Sequence, residues 1–194
     1  RRMHPRATQA QGGEGVTAWE GLTPPYATIV ADPPWSYQRS GVQGAAEDEY
    51  STLTGDEIAA LPVADLAADA AHLYMWVTTP KLFDSPNPAE IAAAWGFTYK
   101  TMITWVKGER VGLGWYYRVD TEHCIFATRG RAPIPGALRE SNVLWSPRAR
   151  HSAKPQAFAD LVEKVSPGPF VELFARQPRL GWDHWGHGYE MGAA

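Results

Sequence analysis

Apolar residues in this chain come in short continuous runs, broken by polar stretches that carry proline or glycine. "YATIVA" (26–31), "AHLYMWV" (71–77) and "TEHCIFAT" (121–128) are rich in β-branched and aromatic residues and short enough to be strands. "TYKTMITWV" (98–106) and "PFVELFAR" (169–176) read the same way, and "GWDHWGHGYE" supplies one more short strand. Between them the period changes. Phe158, Leu161, Val162 and Val165 recur at helical spacing in "KPQAFADLVEKVSPG", which predicts an amphipathic helix. In "NPAEIAAAWGF", Asn87 is placed as an N-cap, Pro88 in the first turn and Gly96 past the end. Thr54 and Glu57 have the spacing of a capping box and open a third, shorter helix. Strands alternating with helices predict an α/β fold, with one sheet covered by helices on both faces. The stretch 131–153, rich in proline and arginine, reads as a long loop. Residues 1–21 read as a flexible leader, and 22–194 as a single domain.

The end of the first strand is unusual. Asp32-Pro33-Pro34-Trp35 follows "TIVA", and neither proline can extend a sheet ladder or sit inside a helix. The result is a rigid corner carrying a carboxylate and a large aromatic. In open α/β sheets ligands bind outside the carboxyl ends of the strands, where this corner lies. Glu172 and Arg176, at the end of "FVELFAR", are expected at the same edge, with Arg176 a candidate partner for Glu172 in an apolar strand. The Asp32 carboxylate and the Pro33 carbonyl form a pair of acceptors suited to an exocyclic amino group, and Trp35 offers a ring on which its base can stack.

Composition narrows the class. Hydrophobic residues make up 44% and charged residues 20% of the chain, as in globular proteins. No run approaches the length of a membrane span and no secretory signal is present, so a cytoplasmic location is expected. Cys124 is the single cysteine, which excludes an internal disulfide; mid-strand, it reads as a buried thiol rather than a nucleophile. His184 and His187, with His151 and Cys124 elsewhere, lack the clustered spacing of a zinc site, so no metal is expected. The net charge of −3 is unevenly spread. Residues 47–90 hold nine acids and one base, whereas residues 107–154 hold nine bases and four acids. The second segment is a candidate basic patch for an anionic partner.

Several blocks, in order over about residues 26–190, resemble the MT-A70 family of adenine-N6 methyltransferases: "ADPPW", "EYSTLTGDEI", "LYMWVTTPKL", "WGFTYKTMITWVKG", "TEHCIFATRG" and "HSAKPQAFADLVEKVSPGPFVELFARQPRLGWDHWG". The resemblance implies a Rossmann-like, doubly wound and mostly parallel sheet in permuted order, with the catalytic strand preceding the cofactor strand. It implies S-adenosylmethionine as cofactor and transfer of its methyl group to adenine N6 in nucleic acid, with DNA placed ahead of RNA. Asp32, Pro33, Pro34 and Trp35 would then be catalytic, and Tyr50, Glu122 and Lys154 would contact substrate. The cofactor would meet Asp32, Lys154, Glu172, Phe174, Arg176 and His187. In "WGHG", His187-Gly188 stands where the family has asparagine followed by glutamate or glutamine. A homodimer, or a heterodimer with a related chain, is compatible with the resemblance. So are two other activities: an inactive scaffold that binds nucleic acid for a partner subunit, and an enzyme acting on free adenine nucleosides or nucleotides.

Overall fold

Seven strands form one sheet in a computed structural model that describes residues 19–37, 52–108, 116–147 and 154–186. In chain order they are β1 (Tyr26–Ala31), β2 (Ala67–Val77), β3 (Thr98–Val106), β4 (Thr121–Arg129), β5 (Val143–Trp145), β6 (Phe170–Leu173) and β7 (Trp182–Trp185). Across the sheet the order is β5-β3-β4-β2-β1-β6-β7. β4 runs antiparallel to both of its neighbours, and every other pairing is parallel. The first strand in the chain therefore lies near the middle. The connection leaving β1 goes to β2 on one side, and the late return to β6 lands on the other. This is the change of direction at which doubly wound sheets open a crevice.

The apolar runs are continuous because both faces of the sheet are covered. Ile29, Leu73, Met75, Val171 and Leu173 point to one face, where they meet Ile58 of helix α1 (Gly55–Ala59) and Ile91 and Ala92 of α2 (Pro88–Ala94). Val30, Tyr74, Trp76, Ile103 and Phe126 point to the other, against Phe158, Val162 and Val165 of α3 (Gln156–Val165). Both short helices begin with a complete capping box. Glu57 accepts from the Thr54 amide at 2.8 Å, and Asn87 accepts from the amides of Ala89 and Glu90 at 3.0 and 3.1 Å. Gly130 closes β4 with φ +57°, and a Cβ there would stand 2.1 Å from the Asp69 carbonyl oxygen, so only glycine fits.

One expectation changes, and Trp19 adds a contact ahead of β1. The stretch read as a loop over 131–153 contains β5, which pairs along the free side of β3 with Val106 opposite Trp145. Its three residues are strand formers, but they are too few to register as a periodic run. Within the segment read as a leader, Trp19 packs edge-on against Trp185 with ring centroids 4.9 Å apart, and its indole N–H donates to the Pro62 carbonyl at 3.1 Å. Residues 1–18 lie outside the described residues. No described helix is long and apolar enough to cross a membrane.

A buried polar chain ties β2 to the end of α3. The Ala132 carbonyl can only accept, so His72 Nε2–H donates to it at 2.8 Å. His72 Nδ1 then accepts from the Ser166 hydroxyl at 2.7 Å, and Ser166 Oγ accepts from Tyr74 at 2.8 Å. Burial holds the His72 imidazole below its ordinary pKa. The unfolded chain binds a proton at this histidine near pH 6.5 and the folded chain resists it, so the stability it contributes is lost as pH falls below that value. Thermal melts should show His72→Gln less stable by about 1–3 kcal/mol at neutral pH. Its melting temperature should also decline less steeply on acidification than that of the wild type. Parallel declines would remove His72 as a source of acid sensitivity.

Candidate active site

β1 stops at Ala31 because two prolines follow Asp32. The corner is tied to the chain ahead of α1. The Trp35 amide donates to the Pro33 carbonyl at 2.9 Å, the Leu53 amide to the Pro34 carbonyl at 2.8 Å, and the Ser36 amide to the Leu53 carbonyl at 2.8 Å. Each proline carbonyl thus carries one internal hydrogen bond and keeps one lone pair. The Trp35 indole is only 7% exposed, and its N–H donates to the Trp76 carbonyl at 3.1 Å. The ring anchors the corner in the core instead of lying open for a base to stack on.

The Lys154 ammonium, two residues before α3, donates to Asp32 Oδ2 at 2.7 Å and lies 3.5 Å from Glu122 Oε2. Glu122 is paired in turn with Lys107. Four charges of alternating sign therefore run in a row, all largely buried, which is tolerable because each has an opposite neighbour. Two tryptophans lie beneath them. Lys154 stands 5.1 Å from the Trp76 ring centre and Lys107 5.2 Å from that of Trp105, and the two rings meet edge to face at 6.1 Å. Glu122 reaches this edge because β4 is reversed, so its first residues lie where the other strands end.

On the opposite side of Asp32, a cleft of about 430 Å³ opens beyond the ends of β1 and β6. Asp32, Lys154, Gln156, Glu172, Phe174 and Arg179 line it. Phe174 adopts the left-handed conformation, φ 62°, which turns the chain sharply out of β6. The chain end of β7 closes over that turn at Gly186, where a Cβ would stand 2.6 Å from the Ala175 carbonyl oxygen. Arg179 donates to Gln156 Oε1 at 2.9 Å and covers Trp182, while its Nε is buried with no hydrogen-bond partner among the described residues.

The MT-A70 family model matches residues 26–188. The chain belongs to the MT-A70 family. It is similar to the Type II methyltransferase M.MunI from a Mycoplasma species, 34% identical over 83% of this chain and 76% of that protein. The mouse N(6)-adenine-specific methyltransferase METTL4 is 29% identical over 82% of this chain and 36% of its own length. The human N(6)-adenosine-methyltransferase catalytic subunit METTL3 is 29% identical over 78% of this chain and 26% of its own length. The chain thus spans three quarters of the first of these relatives, about a third of the second and a quarter of the third.

Of the MT-A70 site residues expected from the sequence, Asp32, Glu122 and Lys154 meet in one cluster, and Glu172 and Phe174 line the adjoining cleft. Arg176 is exposed at the cleft mouth; the foremost of the cations that act on Glu172 is Arg179, with Lys154 and His184 behind it. Tyr50 and His187, with Gly188, lie outside the described residues. Lys107, Gln156 and Arg179 join the site without having been expected. A signal for Lys107 existed: it follows directly on one strand while Glu122 opens the next, and the antiparallel register that sets Glu122 opposite Trp105 makes Lys107 its diagonal neighbour.

The two acids have opposite fates. Burial pushes the Glu122 carboxyl up, but Lys154 and Lys107 outweigh it and hold the group below the ordinary range. Burial also pushes Glu172 up, and there the more distant Arg179 does not compensate, so it stays above that range. Lys107→Met should therefore shift the Glu122 titration upward, followed through its side-chain carboxyl carbon by NMR. A curve identical to the wild type would show that Lys107 does not set the charge of Glu122.

Proposed function

We propose that this chain transfers a methyl group from S-adenosylmethionine to the N6 amine of adenine in nucleic acid, at the corner formed by Asp32 and Pro33. The observation that carries the reading is the Asp32–Lys154–Glu122 cluster at a proline-stiffened strand end, opening onto a cleft large enough for a nucleoside-sized cofactor. The cofactor fits the groups present. Arg179 offers a buried N–H with no partner among the described residues, Glu172 offers a carboxylate in an apolar strand for ribose hydroxyls, and Phe174 gives the cleft an apolar wall. Arg176 and, outside the described residues, His187 complete the proposed cofactor set. When bound, S-adenosylmethionine supplies a methyl carbon made electrophilic by its sulfonium.

The chain's own residues hold the nucleophile. Lys154 occupies Oδ2 of Asp32, leaving Oδ1 to accept one N6–H of the adenine, and the free lone pair of the Pro33 carbonyl accepts the other. Two accepted hydrogen bonds draw the amine toward a pyramidal nitrogen whose lone pair is available for attack. On taking the methyl group, with the sulfonium S–C bond broken and a neutral thioether leaving, the nitrogen would become cationic, and one N–H proton would pass to Asp32 Oδ1 or to water. Glu122 holds Lys154 from the far side, and Trp35 fixes the corner from beneath. Tyr50 belongs to the proposed substrate side.

Asp32→Ala should keep the fold by circular dichroism and lower methyl transfer by about 10²- to 10⁴-fold. The wild-type assay offers labelled S-adenosylmethionine with duplex DNA, single-stranded DNA, RNA and adenosine, and identifies N6-methyladenine in the product. Label in none of the four, or undiminished turnover in Asp32→Ala, refutes the assignment. Glu172 gives a second handle. Hydroxyl donors favour the ionised acid, so cofactor affinity should rise with pH through the raised Glu172 titration. Calorimetry should find this slope absent in Glu172→Gln. An equal slope in the variant would assign it to another group.

A further inference from the structure

The polar face of α3 is not given over to solvent. Gln156, Asp160 and Glu163 follow one another at i, i+4 and i+7, on the side away from the buried Phe158, Val162 and Val165, and each is hydrogen-bonded. Two of these bonds reach the chain that runs from β6 to β7 along the cleft. The Trp182 indole donates to Glu163 Oε1 at 2.7 Å, and Arg179 Nη1 donates to Gln156 Oε1 at 2.9 Å. The connecting chain turns tightly at this point. The Trp182 amide donates to the Arg179 carbonyl at 3.2 Å, and Gly181, third of the four residues, has φ +79°, which glycine supplies freely. The turn sets the two side chains beside each other, and the Arg179 guanidinium covers the Trp182 ring at 5.5 Å.

A guanidinium on so long a stem gives up much rotamer freedom to stay in one place, so it needs more than one hold. Trp182 takes its face and Gln156 its edge. A glutamine amide can present either a donor or an acceptor. Here Nε2 donates to Asp160 Oδ1 at 2.8 Å, and a carboxylate accepts without donating. Asp160 thereby occupies the donor end of the amide and leaves Oε1, the acceptor end, for Arg179.

What Arg179 faces gives this hold a use. Arg179 and Glu172 line the same cleft, and both also line a recess of about 10 Å³ beside Trp76 and Lys154. Asp32, at the end of β1, opposes ionisation of Glu172, whereas Arg179 foremost, then Lys154 and His184, favour it. His184 stands opposite Glu172 on β7, and Lys154 is already shared between two carboxylates. Arg179 is therefore the cation whose placement matters most to this acid.

We infer that Gln156, turned by Asp160, is a positioning residue of the cleft, holding the Arg179 guanidinium toward Glu172. The inference rests on the proposed function, in which Glu172 takes the ribose hydroxyls of the methyl donor, but its first measurement needs no ligand. Freed from Gln156, the guanidinium gains the rotamers that point to water, and Glu172 keeps its burial with less charge to offset it. The Glu172 carboxyl carbon is followed by NMR in the cofactor-free chain. Its midpoint should move upward in Gln156→Ala and, by less, in Asp160→Ala. Asp160→Asn, which keeps an acceptor for the amide, should stay closer to the wild type than Asp160→Ala. In an Arg179→Met background Gln156→Ala should move the midpoint no further, because the residue through which Gln156 acts is gone. Calorimetry at neutral pH should show S-adenosylmethionine binding weakened by about 2- to 12-fold in Gln156→Ala, the range for one net hydrogen bond. Gln156 and Asp160 are both exposed, so circular dichroism should find every one of these chains folded. An unmoved midpoint in Gln156→Ala overturns the inference. An equal shift in the Arg179→Met background overturns it too, since Gln156 would then act by another route. A moved midpoint in a chain whose wild type binds no S-adenosylmethionine would sink the proposed function and leave the hold of Gln156 on Arg179 standing; cofactor binding and methyl transfer with an unmoved midpoint would do the reverse.

Discussion

The Lys154 ammonium, shared between Asp32 and Glu122, is the contact on which the arrangement of this edge depends. Each of the three groups is largely withdrawn from water, and an ion in that position is tolerable only with an opposite charge beside it. Asp32 comes from the end of β1 and Glu122 from the start of β4, and Lys154 arrives only after the chain has built β5. One cation therefore closes a site whose parts are 122 residues apart along the chain. It also couples the position of α3, which Lys154 precedes, to the proline corner.

The reversed strand makes this possible. In an all-parallel sheet only strand ends reach the ligand edge. Here β3 and β4 form an antiparallel pair, so Lys107, just past the end of one, and Glu122, the second residue of the other, are diagonal neighbours there and form an ion pair. The same reversal leaves β3 free to pair with β5 in parallel, which carries Trp145 to the outer end of that edge. β1 then divides the edge into two regions of different character. Toward β6 lies a cleft with an acid and an arginine in its walls, and toward β5 the edge carries the exposed rings of Tyr116, Tyr117 and Trp145.

What was legible in the sequence was mostly local. The Thr54–Glu57 capping box and the Asn87 N-cap are signals within a few residues, and each formed as spaced. The continuous apolar runs marked strands covered on both faces, and the double proline marked the end of β1. The resemblance to MT-A70 proteins added which strand ends belong together. Contacts decided by distant chain were not legible. The Arg176 expectation borrowed an i, i+4 spacing that holds on helices, whereas the left-handed turn at Phe174 sends Arg176 outward and the chain comes back with Arg179. Trp35 sits in a polar, proline-rich context that says nothing of burial, and its ring is buried because the Trp76 carbonyl accepts its N–H. β5 exists only because β3 has an unpaired side, which no property of "VLW" announces.

Charge balance gives the divided edge a chemical logic. Asp32, Lys154, Glu122 and Lys107 sum to zero, so this half of the site can seat an uncharged base without leaving a net charge buried beside it. On the proposed reading the other half must hold a cationic sulfonium, and there the balance differs. Burial raises the Glu172 carboxyl, and its principal cation, Arg179, is also bonded to Gln156 and stacked on Trp182. A positive ligand in the cleft would favour the ionised form of Glu172, the form that burial alone disfavours. The methyl donor and the acid would then stabilise each other. Lys154, already neutralised by two carboxylates, would offer that cation little repulsion. An unpaired lysine at the same place would oppose it, which is a physical reason for Glu122, and behind it Lys107, to stand beside the Asp32 carboxylate to which the proposed reaction gives the chemistry.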